Sequence, residues 1–195
     1  MDTRLLRGLL ENVQAGHLTI DEAMERLRSL PYEDMGFAKL DNHRQLRNGV
    51  PEVVFCPGKS NEQIIAILKR VLEHNTCAMA TRAAPEVYAA VRKQLPDADY
   101  CEHARIITIG QYARSREEMA QDSNYIMVVS GGTADMPVAH EAAMTATILG
   151  SRVETAYDVG VAGLHRLLDQ KELLMGANVV IAVAGMEGAL ASVVG

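Results

Sequence analysis

The chain has 195 residues, a formal charge of −6, two Phe, no Trp and three Cys. That length admits one large or two small α/β domains with apolar content enough for a real core. An acidic chain with so few rings lacks both the basic footprint and the stacking platforms of a nucleic-acid binder. No apolar run reaches membrane-spanning length and Met1-Asp-Thr-Arg-Leu-Leu-Arg7 is too charged for a signal peptide, so a cytoplasmic protein with no membrane partner is expected. Cys56, Cys77 and Cys101 are too widely spaced for a Cys-x-x-Cys pair, and an odd number points to reduced thiols, each read as a small buried hydrophobe rather than a nucleophile.

Leu5, Leu6, Leu9, Leu10 and Val13 recur at helical spacing over residues 3 to 14, and Thr19-Ile-Asp-Glu22 is a capping box opening a second helix through about Leu30. Gly16 and His17 mark the turn of this helical hairpin. Residues 31 to 52 show no sustained periodicity yet are dense in Lys39, Asp41, Asn42, His43, Arg44 and Arg47. A solvated loop is the plain reading of such a run, but a long loop in a compact domain is often functional. Lys39, Asp41 and Arg44 are therefore expected to contact substrate, in their own or a neighbouring subunit.

From Val53 strand and helix alternate. Val53 to Cys56 reads as a strand, Ser60-Asn-Glu-Gln63 caps a helix over Ile64 to His74, Cys77 to Ala80 is the next strand, and Pro85 opens a helix to Leu95. With Ala104 to Ile109 as third strand this is a β-α-β-α-β unit, and Ser115-Arg-Glu-Glu118 caps a short connecting helix. A second alternation comes after it: strands Ile126 to Val129, Arg152 to Ala156 and Val179 to Ala184, with helices near Val138 to Leu149 and Gly163 to Met175. The chain is expected to be α/β, in three parts. A helical hairpin with a polar segment (1–52) and a small α/β unit (53–123) precede an incomplete parallel-sheet, Rossmann-like domain (124–195). Three strands are few for a doubly wound domain, and an unpaired apolar edge asks for cover, so a homo-oligomer is expected.

Each of the later strands ends in a glycine-bearing turn, at Gly131, Gly160 and Gly185, and such turns gather on one edge of an open parallel sheet. In Ser130-Gly-Gly-Thr133, with Asp135 and Pro137 at a helix start, backbone N–H groups and the helix N-terminus suit a phosphate. Ser130, Gly131, Gly132, Thr133 and Asp135 are the expected binding residues. The alternative is a turn that needs glycine only for positive φ; neither a Walker motif nor G-x-G-x-x-G is present. In Ala184-Gly-Met-Glu-Gly-Ala189, Glu187 is a candidate general base, or a ligand of ribose hydroxyls or a metal, beside Gly185 and Met186; alternatively it merely complements a helix dipole. Asp158 and Gly160 come from the middle turn, whereas His165 and Arg166 already lie in a helix, where a structural or interface role is as plausible as a catalytic one. The six histidines form no i, i+4 pair, so no protein-held zinc is expected.

Four ordered stretches closely resemble the LarB family: Gly36-Phe-Ala-Lys-Leu-Asp-Asn-His-Arg-Gln-Leu-Arg-Asn-Gly-Val-Pro-Glu-Val-Val54, Ser130-Gly-Gly-Thr-Ala-Asp135, Asp158-Val-Gly-Val-Ala-Gly-Leu-His-Arg166 and Ala184-Gly-Met-Glu-Gly-Ala-Leu190. These enzymes are pyridinium-3,5-biscarboxylic acid mononucleotide synthases, which serve biosynthesis of the nickel-pincer cofactor of lactate racemase. The C-terminal part is similar to the purine-pathway (PurE-like) aminoimidazole ribonucleotide carboxylase/mutase fold. The resemblance implies carboxylation of the nicotinate ring of nicotinic acid adenine dinucleotide with CO2 or bicarbonate, and phosphoanhydride hydrolysis releasing AMP. It further implies Mg²⁺ on the substrate phosphates, no tightly bound organic cofactor, and the 130–135 turn as a phosphate and ribose loop. Where the purine enzyme has a catalytic histidine this chain has Ala189, and Ala191 replaces a proline usual in the LarB family. The family's cysteine nucleophile belongs to a C-terminal segment that these 195 residues do not include, so weak nucleotide binding without turnover is expected of them alone. Two other readings stay open: the purine-pathway reaction, and a non-catalytic nucleotide-binding or assembly module.

Overall fold

Capping chemistry sets the first helices. Asp2 caps α1 (Thr3–Gln14), accepting the Arg4 N–H at 2.7 Å, and its other carboxylate oxygen accepts the Thr76 hydroxyl at 2.7 Å. The box expected at Thr19 and Glu22 closes over α2 (Ile20–Leu27). That helix ends at Leu27, short of the expected Leu30. The computed structural model describes residues 2–28, 30–110 and 114–195. It falls into two units, Met1–Tyr100 with Ile107–Gln111 and Cys101–Ile106 with Tyr112–Gly195.

In the first unit the aperiodic polar stretch is not an open loop. Strands β1 (Glu33–Asp34) and β2 (Lys39–Leu40) pair antiparallel, and α3 (Arg44–Asn48) comes next. Asp34 accepts the Gly36 N–H at 2.8 Å, and φ +83° at Gly36 turns the ribbon in a conformation that favours glycine. Residues 1–52 are not separate from the α/β part of this unit: the Asp2 N–H donates to the His74 carbonyl at 2.8 Å, Arg70 pairs with Glu33, and Leu40 packs in one core with Val54 and Ile64.

That core lies against β3 (Val53–Phe55), α4 (Asn61–His74), β4 (Cys77–Thr81), α5 (Pro85–Gln94), β5 (Ala98–Cys101) and β6 (Ile106–Gly110). The sheet order is β3-β4-β6-β5, with β3 parallel to β4 and β6 antiparallel to it. The expected β-α-β-α-β unit is corrected here. After α5 the chain lays down a strand the sequence reading omitted, Ala98–Cys101, reverses through the turn 102–105, and enters the third strand from the opposite end. Four residues suffice for an antiparallel return but not for a parallel crossover. Ile64, Leu68 and Val71 of α4 are fully buried, at the i, i+4, i+7 spacing that lines one helix face.

In the second unit the Ser115–Glu118 capping box opens α6 (Arg116–Ala120). Beyond it lies a three-stranded parallel sheet in the order β8-β7-β9, from β7 (Ile126–Ser130), β8 (Val153–Ala156) and β9 (Val179–Val183). The crossover from β7 to β8 is α7 (Met136–Ile148), and α10 (Ala189–Val194) succeeds β9. Met127, Val128, Val129 and Ser130 are all buried without alternation, as in a strand covered on both faces. Residues 163–175, expected as one helix, form two: α8 (Leu164–Leu168) and α9 (Lys171–Gly176), broken at Asp169–Gln170. The leucines at 164, 167, 168, 173 and 174 have the same periodicity in either case, so spacing conceals the break. Mixed α/β structure with a Rossmann-like parallel sheet is what the chain forms.

Candidate functional site

The parallel register brings the turns after β7, β8 and β9 to one edge. Gly131, Gly160 and Gly185 all line a cavity of about 470 Å³, within the size range of ligand pockets. Gly132 and Asp135 of the first turn, Asp158 of the second, and Met186 and Glu187 of the third line it as well.

Two expectations about the first turn are corrected. Ser130 is fully buried; its hydroxyl accepts the Asp158 N–H at 3.2 Å and its carbonyl accepts the Val159 N–H at 2.9 Å, so it fastens two turns together rather than facing a ligand. The N–H groups of Gly131 and Gly132 are also committed, to the Val183 carbonyl and to the Asp135 carboxylate, both at 2.8 Å. Helix geometry leaves Thr133 and Ala134, the first residues of the helical segment, as the N–H groups without an intrahelical acceptor. Ala134 lines the cavity; Thr133 is exposed outside its lining. Glycine is required here by close approach rather than by positive φ: a Cβ at Gly160 would lie 2.7 Å from the Gly131 carbonyl oxygen.

Asp158 adopts φ +56° and accepts Arg166 Nη1 at 2.5 Å. Arg166, whose role the sequence leaves open, thus lines the cavity as its guanidinium, drawn back toward β8 from the first turn of α8. No signal in the sequence marks it: eight residues after Asp158, it folds back over Gly163, where any Cβ would meet its Nε. Glu187 is exposed and, among the described residues, makes no ion pair or hydrogen bond. Of the three carboxylates in this cavity it is the one with neither oxygen engaged among the described residues, since Asp135 gives one oxygen to the Gly132 N–H and Asp158 gives one to Arg166. Met186 stands beside it at φ +51°, its side chain wholly exposed.

A second cleft of about 400 Å³, which the sequence did not signal, is lined by Cys101, His140, Met144, Arg152 and Thr155. The His140 ring stacks on His103 at 5.4 Å and tilts against Tyr157 at 4.6 Å, with the Tyr157 hydroxyl 3.2 Å from its Nδ1. Burial, then the neighbouring His103, pushes the His140 pKa down, and burial pushes that of Tyr157 up.

The polar segment of the first unit is held by its own members. Arg47 clamps both oxygens of Asp41, at 3.1 and 2.6 Å, and Asp41 also accepts the His43 N–H at 3.1 Å. The hydrogen bond from Arg47 keeps the Asp41 carboxyl below its ordinary range. Lys39 lies 3.8 Å from Asp34 and over the Tyr32 ring. Arg44 differs: its Nε is buried without a hydrogen-bond partner among the described residues, as is Gln45 Oε1. Burial pushes the Glu52 carboxyl up, and the Arg44 charge opposes that shift. Of the three residues expected to touch substrate in this segment, Asp41 is the one clamped on both oxygens, while Arg44 keeps a buried donor without a partner among the described residues.

Of the three cysteines, Cys56 alone packs as a buried hydrophobe as expected; Cys77 and Cys101 are half-buried, and Cys101 lines the 400 Å³ cleft. Cys56 is buried and its thiol is pushed up to about 11 by burial, and burial raises Cys77 as well. Neither is a thiolate at neutral pH. Among the described residues, no three His, Cys, Asp or Glu side chains gather as metal donors, and no helix is long and apolar enough to cross a membrane.

Glycine-bearing turns around one cavity at the carboxyl ends of parallel strands put the second unit among the α/β proteins whose ligands enter at the strand ends. A family model described as the LarB/PurE-like N-terminal domain matches residues 32–111. An uncharacterised protein of Methanocaldococcus jannaschii is 35% identical over 195 residues, 97% of this chain and 75% of that protein. The chain belongs to the LarB/PurE-like family.

Proposed function

We propose that the protein is a carboxylase of the LarB type. It adds CO2 to the nicotinate ring of nicotinic acid adenine dinucleotide, and water cleaves the phosphoanhydride to release AMP, giving pyridinium-3,5-biscarboxylic acid mononucleotide for nickel-pincer cofactor biosynthesis. The observation that carries this reading is the 184–190 turn of a chain in the LarB/PurE-like family. It holds an uncommitted carboxylate, Glu187, at a cavity shared with the 130–135 loop, and Ala189 where the purine enzyme has its histidine.

A pyridinium ring is electron-poor, so a nucleophile must first add to it and make an enamine-like donor. The ring carbon then bonds to CO2, a base takes the ring proton, and departure of the nucleophile restores the aromatic cation. Glu187 is assigned the proton. Asp135 and Arg166 are assigned the ribose hydroxyls and phosphate, with the Ala134 N–H as a further phosphate donor. Mg²⁺ fits as a partner of the substrate phosphates rather than as a protein-held ion, since two of the three cavity carboxylates already have partners. The adding nucleophile is not assigned to Cys56 or Cys77, whose burial keeps them protonated; the resemblance places it in a separate cysteine-bearing segment.

Calorimetry with nicotinic acid adenine dinucleotide tests the substrate, and Arg166→Ala is expected to weaken that binding. The chemistry is tested in protein that also carries the cysteine segment, with bicarbonate and Mg²⁺, by assaying AMP and the dicarboxylated mononucleotide. Glu187→Gln is expected to lower turnover about 10²–10⁴-fold with little change in binding. Turnover at the parent rate would demote Glu187 to a helix-end charge, and failure to form either product would overturn the reaction.

A further inference from the structure

We propose that Met186 recognises the flat nitrogen-containing ring of the ligand in the 470 Å³ cavity by covering one of its faces, which makes it the residue that distinguishes a nucleotide from a bare sugar phosphate there. The inference rests on the nicotinate-nucleotide reading of this cavity and adds the group that selects the ring.

Two costs meet at Met186. Its backbone sits at φ +51°, a region that side chains with a Cβ avoid and glycine enters freely. Its side chain is also 100% exposed, so no packing within the described residues offsets that conformation. Glycine stands at 185 and again at 188, the latter with φ +68°, so a third glycine would suit the turn better by every internal measure. What Met186 offers instead is outward: a flexible, polarisable thioether at the rim of a cavity that also presents Val161, Ala162, Ala184 and Leu190. Thioether sulfur makes favourable contacts with aromatic rings, and an unbranched side chain adapts to a planar surface. The adjacent Glu187 carboxylate adds complementarity to a ring that carries positive charge, as a pyridinium does. The charged groups Asp135 and Arg166 suit the ribose and phosphate, leaving the apolar lining and Met186 for the ring.

The test compares nicotinic acid mononucleotide with ribose 5-phosphate, observing the Met186 methyl by NMR and affinity by titration. The Met186 signal is identified by its loss in Met186→Leu. The mononucleotide should move the methyl upfield through the ring current, and ribose 5-phosphate should leave it in place. Met186→Ala should cost about 2–10-fold in affinity for the mononucleotide and nothing for ribose 5-phosphate. Met186→Gly should show the same selective loss while melting no lower than the parent, which separates recognition from folding. If the parent binds both ligands equally and the variants change neither affinity, the assignment of Met186 is wrong while the cavity stands. If the parent binds neither, the nicotinate-nucleotide reading falls and takes this assignment with it.

Discussion

The two units treat their polar and apolar groups differently. Around α4 the first unit closes a core in which Ile64, Leu68, Val71, Ala80 and Ile107 are all fully buried, and on its surface Arg70 pairs with Glu33 and Arg47 with Asp41. In the second unit β7 is as deeply buried, yet β9 beside it is half-exposed along its length, with Val179 at 52%. Its strand ends carry left-handed residues at Asp158 and Met186 and a carboxylate at Glu187 with no partner among the described residues. Unspent chemistry thus lies in two places among the described residues, the polar segment of the first unit, where Arg44 Nε and Gln45 Oε1 are buried without partners, and the strand ends of the second, where Glu187 stands at a cavity. Strained backbone and uncommitted charge persist where something other than folding selects them.

The sharpest way to break that contrast is to truncate one apolar side chain in each unit. Leu68→Ala should cost about 2–5 kcal/mol, as a fully buried leucine does. Val180→Ala, in the half-exposed strand, should cost less than about 1.5 kcal/mol. Denaturant midpoints measure both, and an equal cost would mean that β9 is covered in solution, the result expected if copies of the chain pack over it.

Glycines give the next comparison. Gly160→Ala places a Cβ against the Gly131 carbonyl and should destabilise by about 1–3 kcal/mol while closing the cavity. Gly8→Ala, in α1 with nothing within 4 Å of the new Cβ, should stabilise by up to about 1 kcal/mol. Melting temperatures moving in the same direction for the two variants would refute the close-approach account.

Acid should act on both units, in two steps. Burial lowers the pKa of His74 and His140, so each favours the folded state most above the ordinary histidine value near 6.5, and that contribution is lost as pH falls through the depressed value. Arginine partners lower Glu33, Asp41 and Asp122, whose contributions are complete above the ordinary carboxylate range and disappear as pH drops through their lower folded values. Urea midpoints between pH 8 and pH 3 should decline first below about 6.5 and again below about 4. His140→Gln should flatten the first decline, and an unchanged profile would show that this ring titrates normally.

The smallest effect is at Asp41. Its pair with Arg47 is half-exposed, so Asp41→Asn should cost no more than about 1 kcal/mol, seen as a small shift in melting temperature. Arg44→Ala should instead leave the melt nearly unchanged and alter ligand affinity. A stability loss larger for Arg44 than for Asp41 would reverse the roles given to these two side chains.

Local signals were legible wherever the chemistry was local. The capping boxes at Thr19, Ser60 and Ser115 form as expected, because each needs only two side chains three residues apart. The three parallel strands and their glycine turns were legible from apolar runs and small residues, and the turns do meet at one cavity. Strand β5 was not, since Ala98-Asp-Tyr-Cys101 has too short an apolar signal to separate from a turn. The direction of β6 depended on that omission. At the site, residue types pointed to Glu187, Asp135 and Asp158, but burial of Ser130, the capture of the Gly132 N–H by Asp135 and the return of Arg166 onto Asp158 are contacts that no spacing rule encodes.

The sequence by itself determined the capped helix starts at Thr19, Ser60 and Ser115, the core-facing periodicities, the α/β class and the family, because these rest on residues close together in the chain or on a long ordered pattern. Tertiary structure decided which polar atoms remain available. A hydrogen bond satisfied by a distant partner, such as Ser130 to Asp158 or Gly131 to Val183, removes a group from ligand chemistry, and only the assembled fold shows which ones are spent.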